Sequence, residues 1–209
     1  MKLIEVTCTG NNGRSVIAES VGNQRVKEQD LEGRILFISS GTRADSKHDE
    51  HWPYAKAVMM INKAAEAGLL EGMKVDEARY NSDEEYRIIA SQYARKSLEI
   101  LRPIEAAMRT AALFRCGLEY SGTRTQTAPR DDVSLILGIN DSITKQIREI
   151  YKDIKNPPEI DNLSRYAGVE EELPDCLGKL NITPYLSLVE KCREIMPKVI
   201  ERFRGEYDV

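Results

Sequence analysis

The stretch Leu3-Ile4-Glu5-Val6-Thr7-Cys8-Thr9-Gly10-Asn11-Asn12-Gly13-Arg14-Ser15-Val16-Ile17-Ala18-Glu19 decides how this chain is read. Leu3 to Thr7 carries Ile4 and Val6 and reads as a strand, and the polar stretch Gly10 to Gly13 breaks it. Val16, Ile17, Val21 and Val26 then recur at roughly helical spacing. Gly33 separates that helix from Ile35-Leu36-Phe37-Ile38, a continuous apolar run of the kind that fills a buried parallel strand. Strand, helix and strand make a βαβ unit, so the predicted fold class is α/β.

Farther along, the stretch from about Tyr54 to Cys116 is almost wholly helical in pattern. It holds an alanine-rich segment, Ala55 to Ala67, and then Asp83 to Leu101, where Tyr86, Ile89, Tyr93 and Leu98 lie near helical periodicity. Pro103 predicts an end or a kink in that second helix. Leu135 to Leu137 is a short buried-strand candidate, and Asn140, Asp141 and Ser142 are cap candidates for a helix through Ile143, Ile147 and Ile150. Thr183 and Pro184 suit the first turn of a last helix carrying Leu186, Val189, Ile195, Val199 and Phe203, which Pro197 is expected to bend or split. With 209 residues there is chain for one sizeable core. The expectation is a single domain over 1–209, a parallel sheet with helices on both faces, carrying a helical insertion over about 45–114.

A hydrophobic share of 41% and a charged share of 31% are ordinary for a globular protein. The net charge of -4 gives no basic footprint for nucleic acid or an anionic membrane. Met1 to Thr7 is far short of a signal-peptide core or a membrane span, which predicts a cytoplasmic protein. Cys8, Cys116, Cys176 and Cys192 show no CxxC spacing, so neither a zinc site nor a disulfide framework is read, and no cofactor is expected. His48 and His51, with Asp49 and Glu50 between them, suit a solvated acidic loop better than a metal site.

The chemistry lies in Cys8 to Ser15. Cys8 and Arg14 stand six apart, at the carboxyl end of a strand and the start of a helix, where open α/β sheets bind ligands. A loop of Thr9, Gly10, Asn11, Asn12 and Gly13 can turn successive N–H groups inward as an anion nest, with the positive end of the helix behind it. The same setting favours the thiolate of Cys8 as nucleophile. Arg14 offers a planar fork for two oxygens of a tetrahedral dianion. Ser15 can donate its hydroxyl to the sulfur when it departs.

Cys8-Thr9-Gly10-Asn11, followed by Arg14-Ser15 and Ala18-Glu19, resembles the signature of the low-molecular-weight protein tyrosine phosphatases. Ser39-Ser40-Gly41-Thr42 resembles that family's Ser-Ala-Gly-Thr turn, and Gly117 to Arg124 resembles its Gly-Ile-x-x-Ser-x-His-x-Ala-Arg type segment. Leu173-Pro174-Asp175 resembles the late loop that supplies the general acid. The resemblance covers 1 to about 44 and 115 to 209 and implies a four-stranded parallel sheet, with Asp175 as the acid. Asp161 and Asp132 are weaker rivals. Gly13 stands where many members have a second cysteine, Val16 where they have proline, Thr123 where a histidine often buttresses the loop asparagine, and Cys176 where proline usually follows the acid. By resemblance Trp52 lines the mouth of the pocket, and a core role is weighed beside it.

The implied activity is hydrolysis of a phosphate monoester, with protein phosphotyrosine favoured, through a phosphocysteine intermediate. The implied partners are a phosphorylated protein or a small phosphate ester, with phosphate and vanadate as inhibitors. Two alternatives stay open. One is a thioredoxin-coupled arsenate reductase, which needs two further cysteines close together after the third strand, and none follow Leu137 in that way. The other is a catalytically weak phosphate-binding regulatory protein. Asn12, read as facing the entrance, is polar where selectivity for phosphotyrosine would favour an apolar residue, so phosphoarginine and small metabolites remain possible substrates.

Overall fold

Leu3 to Cys8 are buried at every position, which a strand achieves only when both faces of its sheet are covered. The computed structural model describes residues 1–44, 52–120 and 125–209. In it β1 (Lys2–Cys8) pairs in parallel with β2 (Ile35–Gly41) on one side and β3 (Val133–Gly138) on the other, and β3 pairs with β4 (Glu159–Asn162). The strand order is β2-β1-β3-β4. The four-stranded parallel sheet with helices on both faces is the architecture read from the sequence.

Helix α1 (Arg14–Glu28) returns the chain from β1 to β2 and buries Val16, Ile17, Val21 and Val26. It packs on the last helix, α7 (Thr183–Tyr207), whose Val189, Cys192, Ile195 and Val199 are fully buried. The helix after β3, α5 (Asp141–Ile150), starts at Asn140, whose Oδ1 accepts from the Ile143 N–H at 2.9 Å. Strand β4 is only Glu-Ile-Asp-Asn and leads directly into α6 (Leu163–Tyr166).

Between β2 and β3 lie α2 (Tyr54–Glu66), α3 (Glu77–Ser82) and α4 (Glu84–Arg115). Trp52, Ala57, Met60, Ile61, Tyr80, Ala90 and Ala94 form a hydrophobic cluster of their own, while Ala112 and Leu113 of α4 join the main core around the sheet. Helix α4 therefore ties the extra helices to the sheet. Of the outcomes expected at the two prolines, an end or a kink at Pro103 and a bend or a split at Pro197, the end and the split do not occur: α4 runs 32 residues through Pro103, and α7 is continuous through Pro197. In both, packing outweighs the lost hydrogen bond: Leu101 and Glu105 are buried around Pro103, and Ile195, Met196, Val199 and Ile200 around Pro197. Among the described residues no helix is long and apolar enough to cross a membrane.

Candidate active site

The carboxyl end of β1 is where the chain has departed to β2 on one side and to β3 on the other, the switch point at which open parallel sheets leave a crevice. Gly13 stands at the N-terminus of α1 without a side-chain cap, so the first N–H groups of that helix are left for a ligand. The Cys8 Sγ accepts from the Asn11 N–H at 3.2 Å and from the Ser15 hydroxyl at 3.0 Å. Two hydrogen-bond donors thus converge on a buried sulfur.

Asn11 holds the loop in shape. It adopts a left-handed backbone (φ 46°), which asparagine tolerates better than most residues. Its amide donates to Ser15 Oγ at 3.2 Å and Ser39 Oγ at 2.8 Å, and its carbonyl oxygen accepts from the Thr125 N–H at 2.8 Å. Thr123, which stands where the family often has a buttressing histidine, lies outside the described residues together with Ser121, Gly122 and Arg124; among the described residues the Asn11 side chain is held by Ser15, Ser39 and Thr125. Gly41 closes the other side: a Cβ there would meet the Asn11 nitrogen at 2.6 Å and the Thr9 oxygen at 2.8 Å, so the loop fits against β2 only with glycine. The N–H groups of Thr42 and Arg43 bond the carbonyls of Cys8 and Thr9 at 2.9 and 2.8 Å.

Arg14 and Asp175 meet over this loop. Arg14 Nη2 lies 3.7 Å from Asp175 Oδ1, and Lys63 of α2 donates to Asp175 Oδ2 at 2.7 Å. Burial alone pushes the Asp175 carboxyl up, but the charges of Arg14 and Lys63 and the lysine hydrogen bond outweigh it and hold the group below the usual aspartate range. The rival acids are elsewhere: Asp132 pairs with Arg130 and Asp161 with Arg165, and neither lines the cavity.

Asn12 lines the cavity, but its side chain is tied to α4 rather than open at the entrance. Its amide donates to Glu105 Oε2 at 2.7 Å and to the Arg102 carbonyl at 3.0 Å, while Arg109 Nη1 donates to the Asn12 carbonyl at 2.6 Å. Burial raises the Glu105 pKa, the Asn12 hydrogen bond opposes this, and Asp175 adds to it. Glu105, Arg109 and Lys63 did not emerge from the sequence reading. Glu105 carried a usable signal, since it is the one acid on the apolar stripe Leu98, Leu101, Met108 and Ala112. Lys63 carried none.

The cavity above the loop has a volume of about 380 Å³ and an apolar wall of Pro53, Met59, Met60 and Leu98, with Arg43 and Lys56 also lining it. Trp52 is not part of that wall. It is buried in the cluster of the extra helices, where its carbonyl accepts from the Tyr80 hydroxyl at 2.5 Å. Cys176 is 1% exposed, and its thiol lies 3.5 Å from the Pro184 carbonyl; burial, then Asp175 and Glu105, push its pKa up to about 11. It does not line the cavity. Cys192 is fully buried and Cys116 half-buried. His48, Asp49, Glu50 and His51 lie outside the described residues.

No family model matches the sequence. No curated protein matches it either. Solved structures do match, at low identity and over nearly whole chains. The arginine phosphatase YwlE from Geobacillus stearothermophilus is 15% identical, with a TM-score of 0.58, over 99% of this chain and 95% of that one. A protein tyrosine phosphatase from Entamoeba histolytica is 12% identical, with a TM-score of 0.60, over 99% of each chain. A low molecular weight protein tyrosine phosphatase from T. tengcongensis is 16% identical, with a TM-score of 0.54, over 97% of this chain and 99% of that one. Over nearly its whole length, this chain has the fold of the low molecular weight protein tyrosine phosphatases.

Proposed function

We propose that this protein is a cysteine-dependent phosphatase that hydrolyses a phosphate monoester, with protein phosphotyrosine as substrate, through a phosphocysteine intermediate. One observation carries the reading: Cys8, with two hydrogen-bond donors on its sulfur, shares a cavity with Arg14 and with a carboxyl group, Asp175, 3.7 Å from that arginine. The sulfur attacks phosphorus, the P–O bond to the leaving group breaks, and Asp175 gives that oxygen its proton. Water then attacks the phosphocysteine, Asp175 takes the water proton, and Cys8 departs as thiolate with the Ser15 hydroxyl donating to it. Thr9 to Gly13 and Arg14 hold the three equatorial oxygens throughout. In the free protein Asp175 is held ionised by Arg14 and Lys63. A substrate dianion engages Arg14 and brings negative charge beside the carboxyl, and both effects favour its protonation before the first step.

Pre-steady-state hydrolysis of nitrophenyl phosphate tests this. The expected result is a burst of nitrophenol equal to the enzyme concentration, with acid-quenched protein carrying phosphate on Cys8; turnover with no phosphorylated Cys8 would remove the covalent step. Phosphoarginine is the second reading, because the described residues lining the cavity include no aromatic ring and the wall of Met59, Met60 and Leu98 suits an aliphatic stem as well as a phenyl ring. Comparing kcat/KM on a phosphotyrosine peptide and a phosphoarginine peptide separates the two.

A further inference from the structure

Helix α4 holds Asn12 by both its side chain and its carbonyl, through Glu105, the Arg102 carbonyl and Arg109. Glu105 also occupies the space beside Gly13, where an added Cβ would come within 2.5 Å of Oε1. We propose that Glu105, supported by Arg109, is a positioning residue for the phosphate site: a splint supplied by the inserted helices that fixes the Asn12–Gly13 segment so that its N–H groups are set for an oxyanion before one arrives. The proposal rests on the phosphatase reading and gives the insertion a role within it.

The run Gly10-Asn11-Asn12-Gly13 is conformationally free as a sequence, so ordering it only when the ligand binds would weaken binding. Ser39 and Thr125 fix its first half through Asn11, but the second half is gripped by α4. Glu105 suits this place because burial favours its neutral form, which accepts the Asn12 hydrogen bond without setting a negative charge against the phosphate. The charged and titratable groups around it are Arg14 of α1, Arg102 and Arg109 of α4, Asp175 and Cys176 of the late loop, and Tyr185 of α7. As pH rises through the raised Glu105 pKa, its carboxylate works against a bound dianion.

The test is the dissociation constant of inorganic phosphate, by calorimetry, for the wild type, Glu105→Ala, Glu105→Gln, Gly13→Ala and the Gly13→Ala/Glu105→Ala pair, with unliganded melting temperatures as a control on folding. Glu105→Ala is expected to weaken binding about tenfold at pH 6, and Glu105→Gln, which keeps an acceptor for Asn12, to restore it to within about threefold of wild type. The ratio of wild-type to Glu105→Gln affinity cancels the titration of phosphate itself, and it is expected to move in favour of the glutamine variant as pH rises above the ordinary glutamate range and through the raised Glu105 pKa. Gly13→Ala is expected to weaken binding alone but to add nothing to Glu105→Ala, because the methyl then has room. Additive effects of the pair, or Glu105→Ala binding phosphate as the wild type does, overturn the splint while leaving the phosphatase reading intact. A wild type that binds no phosphate overturns both.

Discussion

Replacing Asn11 by alanine removes the tie that gives the loop from Cys8 to Ser15 its shape, and the structure sets the size of the effect. Three hydrogen bonds are lost, to Ser15, to Ser39 and from the Thr125 N–H, at about 1 kcal/mol each, or about 3 kcal/mol together. The left-handed backbone at residue 11 costs alanine roughly 1 kcal/mol more, and relaxation of the loop into solvent offsets a similar amount. At about 2–4 °C per kcal/mol for a chain of this size, the melting temperature should fall by about 6–12 °C. Phosphate affinity should fall at least tenfold, since the Asn11 N–H and Ser15 hydroxyl that face Cys8 lose their support. Thermal unfolding with and without saturating phosphate measures both effects. A variant melting within about 2 °C of wild type, and stabilised equally by phosphate, would refute the idea that Asn11 organises the loop.

Asp175→Asn should slow hydrolysis by about 10²–10⁴-fold for esters with poor leaving groups and much less for nitrophenyl phosphate; one small effect across a leaving-group series would mean that another residue is the acid. Glu5 is a buried acid on β1 with one carboxyl oxygen unpartnered, and burial, partly offset by its hydrogen bond from Ser40, holds its pKa up. The stability that this neutral acid contributes is complete below the ordinary glutamate range and is lost as pH rises toward its raised native value. Glu5→Gln should therefore lose less stability than wild type between pH 5 and pH 8 in denaturant titrations, and parallel pH slopes would contradict this.

Much of this was written locally. The strand, loop, helix and second strand from Lys2 to Gly41 are legible because each run of apolar residues keeps one period, and Cys8 and Arg14 of the candidate site stand only six residues apart. β4 was not legible, because Glu159, Asp161 and Asn162 leave Ile160 as its only apolar residue; the family resemblance, not the pattern, supplied a fourth strand. Pro103 and Pro197 left open whether their helices stop, because local propensity does not include the packing that carries both helices past them. Asp175 was ambiguous as a Pro-Asp turn, and its contacts with Arg14 and Lys63 come from residues 161 and 112 positions away. Trp52 could be read as pocket wall or core, and only the cluster it joins decides for core. Glu105 could have been flagged as an acid on an apolar stripe, but no periodicity reveals that it reaches the loop at Asn12 and Gly13.

The central claim is that Cys8 is the nucleophile in a loop that binds the phosphoryl group without it. The most direct measurement is Cys8→Ser, with hydrolysis of nitrophenyl phosphate and calorimetric binding of inorganic phosphate read on the same preparation. The account predicts that hydrolysis falls by at least about 10⁴-fold while phosphate binding stays within about threefold of wild type, because the N–H groups of the loop and Arg14 remain. Hydrolysis persisting at a few per cent of wild type in the serine variant, with phosphate still bound, would contradict it.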